Sequence, residues 1–277
     1  MIGDTCAVIA AGGMGLRFKN PHGKQYTPLL GHPLCFWALK ACLEASSVGA
    51  AVIVCADERK EEMLSRVVDA VMCESSDQSL SNKDIFFASA QSTRQASVYE
   101  GLLQVPRSYR YVAIHDGARP LLLPQTLDAS LAALRAHPDV SGCICATPVT
   151  DTVKKVARAR HPHASTDALM SADTAGSDQE ASALETSARP TILETVDRSQ
   201  LFAAQTPQSF VLSDILAAHS HARSEAFVGT DDASLCERMG MHVAVFEAPR
   251  DNIKVTLPED LAVARALLCA RAQISKE

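Results

Sequence analysis

Aromatic side chains are scarce in this chain: 5% of 277 residues, with a single Trp, beside an apolar share of 47%. A core drawn from Ala, Val and Leu suits an α/β domain better than a β-sandwich, and the length suffices for one large domain. Positive charge is also short, with 26 Lys and Arg against 32 Asp and Glu for a net charge of −6. That balance gives no basic footprint for nucleic acid or for an anionic lipid surface. A polyphosphate ligand stays open, provided the few cations are focused in one cleft. No apolar run approaches the ~20 residues of a membrane span. The start, Met1-Ile2-Gly3-Asp4, has no basic stretch of the kind that opens a secretory leader, so a cytoplasmic location is expected. Nine cysteines occur without one C-x-x-C pair, which argues against a zinc or disulfide framework and for small buried hydrophobes in a reducing compartment.

The densest chemistry lies in the first 26 residues. An apolar run, Ala7-Val8-Ile9-Ala10, breaks into Ala11-Gly12-Gly13-Met14-Gly15-Leu16-Arg17, with Lys24-Gln25-Tyr26 soon after. Glycines at the end of a buried strand expose backbone N–H groups and let an anion approach, and the Arg and Lys add charge there. A dinucleotide fingerprint would need glycine where Phe18 stands, and a Walker A loop would need a hydroxyl where Gln25 stands. The pattern G-G-x-G-x-R, with Lys24 seven residues after Arg17, resembles instead the signature loop of nucleotidyltransferases, which wraps a triphosphate. The plainer alternative is a tight strand-to-helix turn with solvated cations.

Strand-like and helix-like patterns alternate through the first 150 residues. Strands are predicted at Cys6–Ala10, Ala51–Cys55, Ile85–Ser89, Tyr111–His115 and Gly142–Pro148. Helices are predicted at Leu34–Ala45, Glu58–Val68, Thr93–Gln104 and Pro124–Ala136. This order predicts a Rossmann-like, mostly parallel twisted sheet with helices on both faces and a ligand beyond the carboxyl ends of the strands. One domain over residues 1–277 is expected, with a protruding β-arm over 150–197 built from Thr152–Val156 and Thr191–Val196. The arm carries an insertion, 158–189, expected to be flexible. Fifteen of the 25 residues from Ala164 to Ala188 are Ala, Ser or Thr, with five acids and no base, so there is little to bury. An isolated ribbon is marginal alone, and a second copy of the same arm is its simplest partner. Beyond it, helices are expected near Ser213–His221, Asp231–Arg238 and Pro258–Leu268, and strands at Met241–Phe246 and Ile253–Thr256.

Two further motifs carry charge. His115-Asp116-Gly117-Ala118-Arg119-Pro120 follows an apolar strand, where an Asp suits Mg²⁺ or a substrate hydroxyl but equally suits capping the next turn. Lys254 stands in the β-prone run Asn252-Ile253-Lys254-Val255-Thr256, where it reads as an anion contact or as an edge-strand guard. These motifs join Arg94 with Ser97-Val98, Pro148-Val149-Thr150-Asp151-Thr152-Val153-Lys154, Thr195-Val196-Asp197-Arg198, Gln205-Thr206-Pro207-Gln208 and Thr230-Asp231-Asp232-Ala233. Together and in this order they resemble, nearly end to end, the 2-C-methyl-D-erythritol 4-phosphate cytidylyltransferase family.

The resemblance implies a GT-A-like fold and transfer of CMP from CTP to methylerythritol phosphate, with Mg²⁺, in a cytoplasmic homodimer joined through the β-arm. At matching positions it implies that Arg17, Lys24 and Lys254 steer phosphates as catalytic cations. Ala11, Gly12, Gly13, Gly15, Ser97 and Asp116 would bind the nucleotide, with Asp116 also meeting the metal. Arg119, Thr206, Thr152 and Arg198 would receive the polyol phosphate, the last two from the partner's arm. The chain departs from the family at Ala90-Gln91, where a Gly-Gly pair is usual, and in its long arm insertion. A ribitol 5-phosphate cytidylyltransferase is the nearest alternative, against which Ala118 and Ile253 lean modestly. A non-catalytic nucleotide-binding module is the other.

The stretch Ala164–Ala188 offers neither cations nor large apolar surface. Replacing Ala164–Ala188 with a short Gly/Ser turn is therefore expected to leave a folded, nearly fully active protein. Loop-closure entropy grows slowly with length, so urea titration is expected to show a stability change below ~1–2 kcal/mol. A large rise in KM for the polyol phosphate, with the protein still folded, would instead make the insertion a cover for the site.

Overall fold

The computed structural model describes residues 3–13, 18, 23–74, 80–157 and 190–274. The expected insertion 158–189, and Gly15 and Arg17 of the glycine loop, lie outside the described residues. The chain divides into two compact units, Met1–Thr147 with Ala203–Glu277, and Pro148–Phe202.

In chain order the elements begin with β1 (Thr5–Ala10), a short hairpin of β2 (Pro28–Leu29) and β3 (His32–Pro33), α1 (Leu34–Glu44) and β4 (Val48–Cys55). Next come α2 (Lys60–Met63), a π-helical turn at Leu64–Val68, α3 (Asp69–Glu74), β5 (Asp84–Ser89), α4 (Arg94–Leu103), β6 (Tyr111–Asp116), α5 (Pro124–Ala136) and β7 (Gly142–Pro148). The second unit contributes β8 (Lys154–Ala157) and β9 (Thr191–Thr195). The chain then runs through β10 (Phe202–Val211), α6 (Leu212–Ser224), α7 (Ala233–Arg238), β11 (Val243–Glu247) and α8 (Pro258–Ile274).

Among the described residues, seven strands form one sheet in the order β11-β7-β10-β6-β1-β4-β5. β1 pairs in parallel with β4 and β6, β4 with β5, and β11 with β7, as expected for successive strand–helix–strand units. The exception is β10, which runs antiparallel to β6 with Gln208 opposite Ile114. No strand was expected there. Its polar residues, Gln205, Thr206, Gln208 and Ser209, are buried and interrupt any apolar alternation.

Side chains of β1 alternate across the sheet. Ala7 and Ile9 join Phe36 and Leu39 of α1 and Leu127 and Leu131 of α5 in one core. Cys6 and Val8 join Val98 and Leu102 of α4 and Ile215 of α6 in the other. Helices therefore cover both faces, and seven of the nine cysteines are buried free thiols. Burial pushes the Cys35 and Cys42 thiols up to about 12, which leaves them inert.

Two expectations need correcting. The single helix expected at Glu58–Val68 is a broken run that continues to Glu74. Ile253–Thr256 is not a strand: its backbone is taken by other partners, the Val255 N–H donating to the Ala118 carbonyl (2.9 Å) and the Thr256 N–H to Asp260 Oδ2 (2.7 Å). The second unit holds the antiparallel ribbon β8–β9, with Lys154 opposite Thr195.

Candidate active site

The parallel register brings the ends of β1 and β6 level, with Ala10 opposite Asp116. The Gly117 N–H donates to the Ala10 carbonyl at 3.1 Å, and the Ala11 N–H to the Val54 carbonyl at 2.9 Å. The glycine segment and Asp116 are thus neighbours at one sheet edge. Gly12 is required there, because a Cβ on it would lie 2.3 Å from the Ala90 Cβ. Ala90 fits because Gly12 leaves it room.

A cleft of about 740 Å³ opens at this edge, walled by Ala11 to Gly13, by Gln91 to Arg94, and by Lys254 and Thr256. Lys24, Ser97 and Asp116 also line it. Its helical wall is the start of α4, capped by the Thr93 hydroxyl, which accepts the Ala96 N–H at 3.1 Å. Ser97 is committed locally: its hydroxyl oxygen accepts the Gln91 N–H at 2.8 Å and lies 2.8 Å from the Thr93 carbonyl.

Asp116 gathers the cations. Its Oδ2 is 2.8 Å from Lys254 Nζ and 3.6 Å from Arg119 Nε, and its Oδ1 is 3.3 Å from Arg94 Nε. Burial alone would raise this carboxyl, but Arg94, Lys254 and Arg119 outweigh it and hold it well below the usual carboxylate range. Lys24 reaches in from the short turn Lys24–Tyr26, donating to the Val255 carbonyl at 3.0 Å. Arg119 is buried and donates to the Asn252 carbonyl at 2.8 Å, which ties the β6 turn to the Lys254 segment. Asn252 in turn donates to the Thr206 carbonyl at 2.8 Å.

Thr206 is buried rather than open to the cleft. Its hydroxyl accepts the Asp116 N–H at 3.0 Å and lies 3.0 Å from His115 Nδ1. His115 Nε2 is 3.2 Å from the Arg119 carbonyl. These partners suit a neutral ring that donates through Nε2 and accepts at Nδ1. Burial, the largest effect, pushes His115 down to about 4 against the upward pull of Asp116. His115 therefore braces the turn that aims Asp116 and Arg119.

Of the residues singled out from sequence, Ala11, Gly12, Gly13, Lys24, Ser97, Asp116 and Lys254 meet in the cleft, and Arg119 and Thr206 support it from behind. Thr152 and Arg198 lie in the second unit, where Arg198 donates to the Thr150 carbonyl. Arg94, Asp232 and Asn252 had no assigned role, although each sits in a motif already noted.

A glycine segment and clustered cations at the carboxyl edge of an α/β sheet describe a nucleotidyltransferase. Sequence comparison narrows the class. The family model of IspD, 2-C-methyl-D-erythritol 4-phosphate cytidylyltransferase, matches residues 5–167 and 157–270. The chain is 37% identical over 266 residues to the 2-C-methyl-D-erythritol 4-phosphate cytidylyltransferase of Parasynechococcus marenigrum, covering 96% of this chain and 98% of that protein. It is 33% identical over 261 residues to the Bacillus cereus protein of the same name, covering 94% and 96%. The crystal structure of 4-diphosphocytidyl-2C-methyl-D-erythritol synthase from Anaerococcus prevotii shares the fold with TM-score 0.70 at 23% identity, covering 95% of both chains. The chain belongs to the IspD family and is a cytidylyltransferase.

The buried pair His115–Asp116 sets the acid response. A neutral imidazole held down at about 4 binds its proton only in the unfolded chain between pH 6.5 and 4, so stability falls as pH drops through that window, by up to roughly 3 kcal/mol. The depressed Asp116 acts lower, its contribution being lost as pH falls below the ordinary carboxylate range. Urea midpoints of His115→Asn are expected to vary less than the parent's between pH 6.5 and 4. Parallel curves in that window would remove His115 as the cause.

Proposed function

We infer that this chain transfers CMP from CTP to 2-C-methyl-D-erythritol 4-phosphate, releasing pyrophosphate, as a step of non-mevalonate isoprenoid biosynthesis. The observation that carries the reading is the charge of the cleft: three cations, Lys24, Arg94 and Lys254, against one carboxylate, Asp116, among its described lining residues. The attacking group is a phosphate monoester, largely dianionic at neutral pH with a second pKa near ~6, so it needs no general base. The barrier is the approach of a dianion to a triphosphate and the charge of the pentacoordinate state, which fixed cations relieve. Lys24 and Lys254 are the residues we assign to that charge, with Arg17 from the adjoining glycine loop. Ala11 to Gly13 and Ser97 are assigned to the nucleoside, and Arg119, through the turn it stiffens, to the polyol phosphate. The family model and the relatives, named for 2-C-methyl-D-erythritol 4-phosphate, favour methylerythritol over ribitol phosphate.

Both Asp116 oxygens already face cations, so an Mg²⁺ here would be shared, held chiefly by substrate phosphates and water with Asp116 alongside. Among the described residues no three His, Cys, Asp or Glu side chains converge to cage a metal. Mg²⁺ commonly takes one or two carboxylates and completes its shell with substrate phosphates and water, and Asp116 supplies such a carboxylate. Bound there with CTP, the ion would offset negative charge on the phosphates.

The second unit we propose to be the arm that pairs two copies and carries Thr152 and Arg198 to the neighbouring site. Every residue of its ribbon is exposed, including Ile192 at 59% and Leu193 at 61%. A two-stranded ribbon with bare apolar side chains is marginally stable until covered. No helix of the described residues is long and apolar enough to cross a membrane.

The direct test is pyrophosphate release from CTP and Mg²⁺ with methylerythritol phosphate or ribitol 5-phosphate. Release with the first, and little with the second, is expected; CTP binding without release would leave a non-catalytic module. Lys24→Ala and Lys254→Ala are each expected to lower kcat by ~10²–10³, with CTP affinity falling less. Turnover of Lys254→Ala within a few-fold of the parent would sink its assignment.

Mixing Arg198→Ala subunits with Lys24→Ala subunits is expected to recover activity, since one site of each mixed dimer then holds both intact groups. No recovery, with subunit exchange confirmed by mass spectrometry, would place all these residues within one chain.

A further inference from the structure

Arg94 has been counted only as cleft charge and the motif Thr230-Asp231-Asp232-Ala233 has no part in the steps above, yet the two are joined. Arg94 Nη1 is 2.8 Å from Asp232 Oδ2, while its Nε faces Asp116 Oδ1 at 3.3 Å. The Asp232 side chain is 1% exposed and lies outside the cleft lining. Its other oxygen is 3.2 Å from Nε2 of His219, also 1% exposed, on α6. Its backbone N–H donates to Gln208 Oε1 on β10 at 3.1 Å, and the Ala233 N–H shares that acceptor at 3.3 Å. Gln208 Nε2 completes the clamp on Asp231 Oδ2 at 2.7 Å. The first turn of α4 is staked to the same loop by Gln95, which donates to the Phe227 carbonyl and accepts the Gly229 N–H.

The arrangement is costly, and so calls for an explanation. A buried carboxylate needs compensation, and Asp232 is given a cation and an imidazole, while Gln208 fixes the backbone that carries it. Arginine pairs best with a carboxylate through two parallel N–H groups. Left alone beside Asp116, Arg94 would turn its fork onto that carboxylate and compete with Lys254 for Oδ2. Asp232 takes one arm of the fork away. Arg94 is thereby split between two carboxylates, and Asp116 keeps an oxygen for Lys254.

We propose that Asp232, held by His219 and Gln208, is a positioning residue for nucleotidyl transfer: it anchors Arg94 in the cleft wall so that Arg94 and Lys254 both stay aimed at the phosphates. This rests on the cytidylyltransferase reading. Asp232 touches neither substrate; its effect passes through Arg94.

A double-mutant cycle tests it. Arg94→Ala, Asp232→Asn and the double variant are assayed for pyrophosphate release, with circular dichroism and urea midpoints as folding controls. Arg94→Ala is expected to lower kcat ~10²-fold and Asp232→Asn ~10-fold or more, with smaller changes in KM. The double variant is expected to be no slower than Arg94→Ala alone, because Asp232 has nothing left to position. Multiplied losses, or a kcat for Asp232→Asn within two-fold of the parent, would overturn the proposal. Should Asp232→Asn fail to fold, the His219 pair decides: His219→Gln, which keeps a donor for Asp232, is expected near parental kcat, and His219→Leu ~5–10-fold below it. Equal rates for those two would also overturn it. A parent that releases no pyrophosphate would sink the cytidylyltransferase reading beneath both, whereas an active parent with multiplied losses would sink this inference alone.

Discussion

Asp116 closes the central strand of the sheet with its carboxylate out of water, and an ion placed there is tolerated only with opposite charge against it. That requirement draws Arg94 from the start of α4, Arg119 from the turn after β6 and Lys254 from the segment before α8 to one point. Segments far apart in the chain converge on this single anion. Arg119 and Asn252 then tie the converging pieces to each other and to β10. The surplus of cations over carboxylates that results is what the proposed triphosphate would meet. An acidic protein can bind a polyanion because its few cations are concentrated at one edge of the sheet.

Much of the frame was legible because it rests on patterns with a period. The apolar runs of β1, β4, β6 and β7 are buried on both sides, and such runs bounded by glycine or polar turns read as interior strands. The helices expected from Thr93 and from Pro124 are there, α4 capped by Thr93 and α5 opening on Pro124. Lys24, Asp116 and Lys254 were legible by type and place: charged residues following strands or set in apolar surroundings, where an unpaired charge is expensive.

What sequence hid are elements whose side chains serve the site rather than the core. β10 carries Gln205, Thr206, Pro207, Gln208 and Ser209, and reads as a loop. Its polar groups are buried because they hold other pieces: Thr206 the Asp116 amide, and Gln208 the two amides that open α7. Pro207, which has no N–H to give, stands just before the pairing with β6 begins at Gln208. Ile253–Thr256 errs in the other direction. Its β-branched residues predict a strand, yet its carbonyls and amides bond to Lys24, Ala118 and Asp260, so tertiary partners override propensity. Asp232 stayed hidden because a charged pair at a helix start reads as a solvated cap until Arg94 is seen against it.

If Asp116 is the anion on which the site is assembled, removing its charge must leave Arg94, Arg119 and Lys254 repelling one another, and a bound polyanion must relieve them. Urea unfolding of the parent and of Asp116→Asn at pH 7, in EDTA, with and without CTP, measures both effects while keeping metal out of the comparison. The variant alone is predicted to be less stable by at least ~2 kcal/mol, somewhat under the ~3–5 kcal/mol of a fully buried broken pair because Arg94 and Lys254 are partly solvated. CTP is predicted to stabilise the variant more than the parent. Equal stability of the two proteins, or a smaller gain from CTP in the variant, would contradict the role given to Asp116.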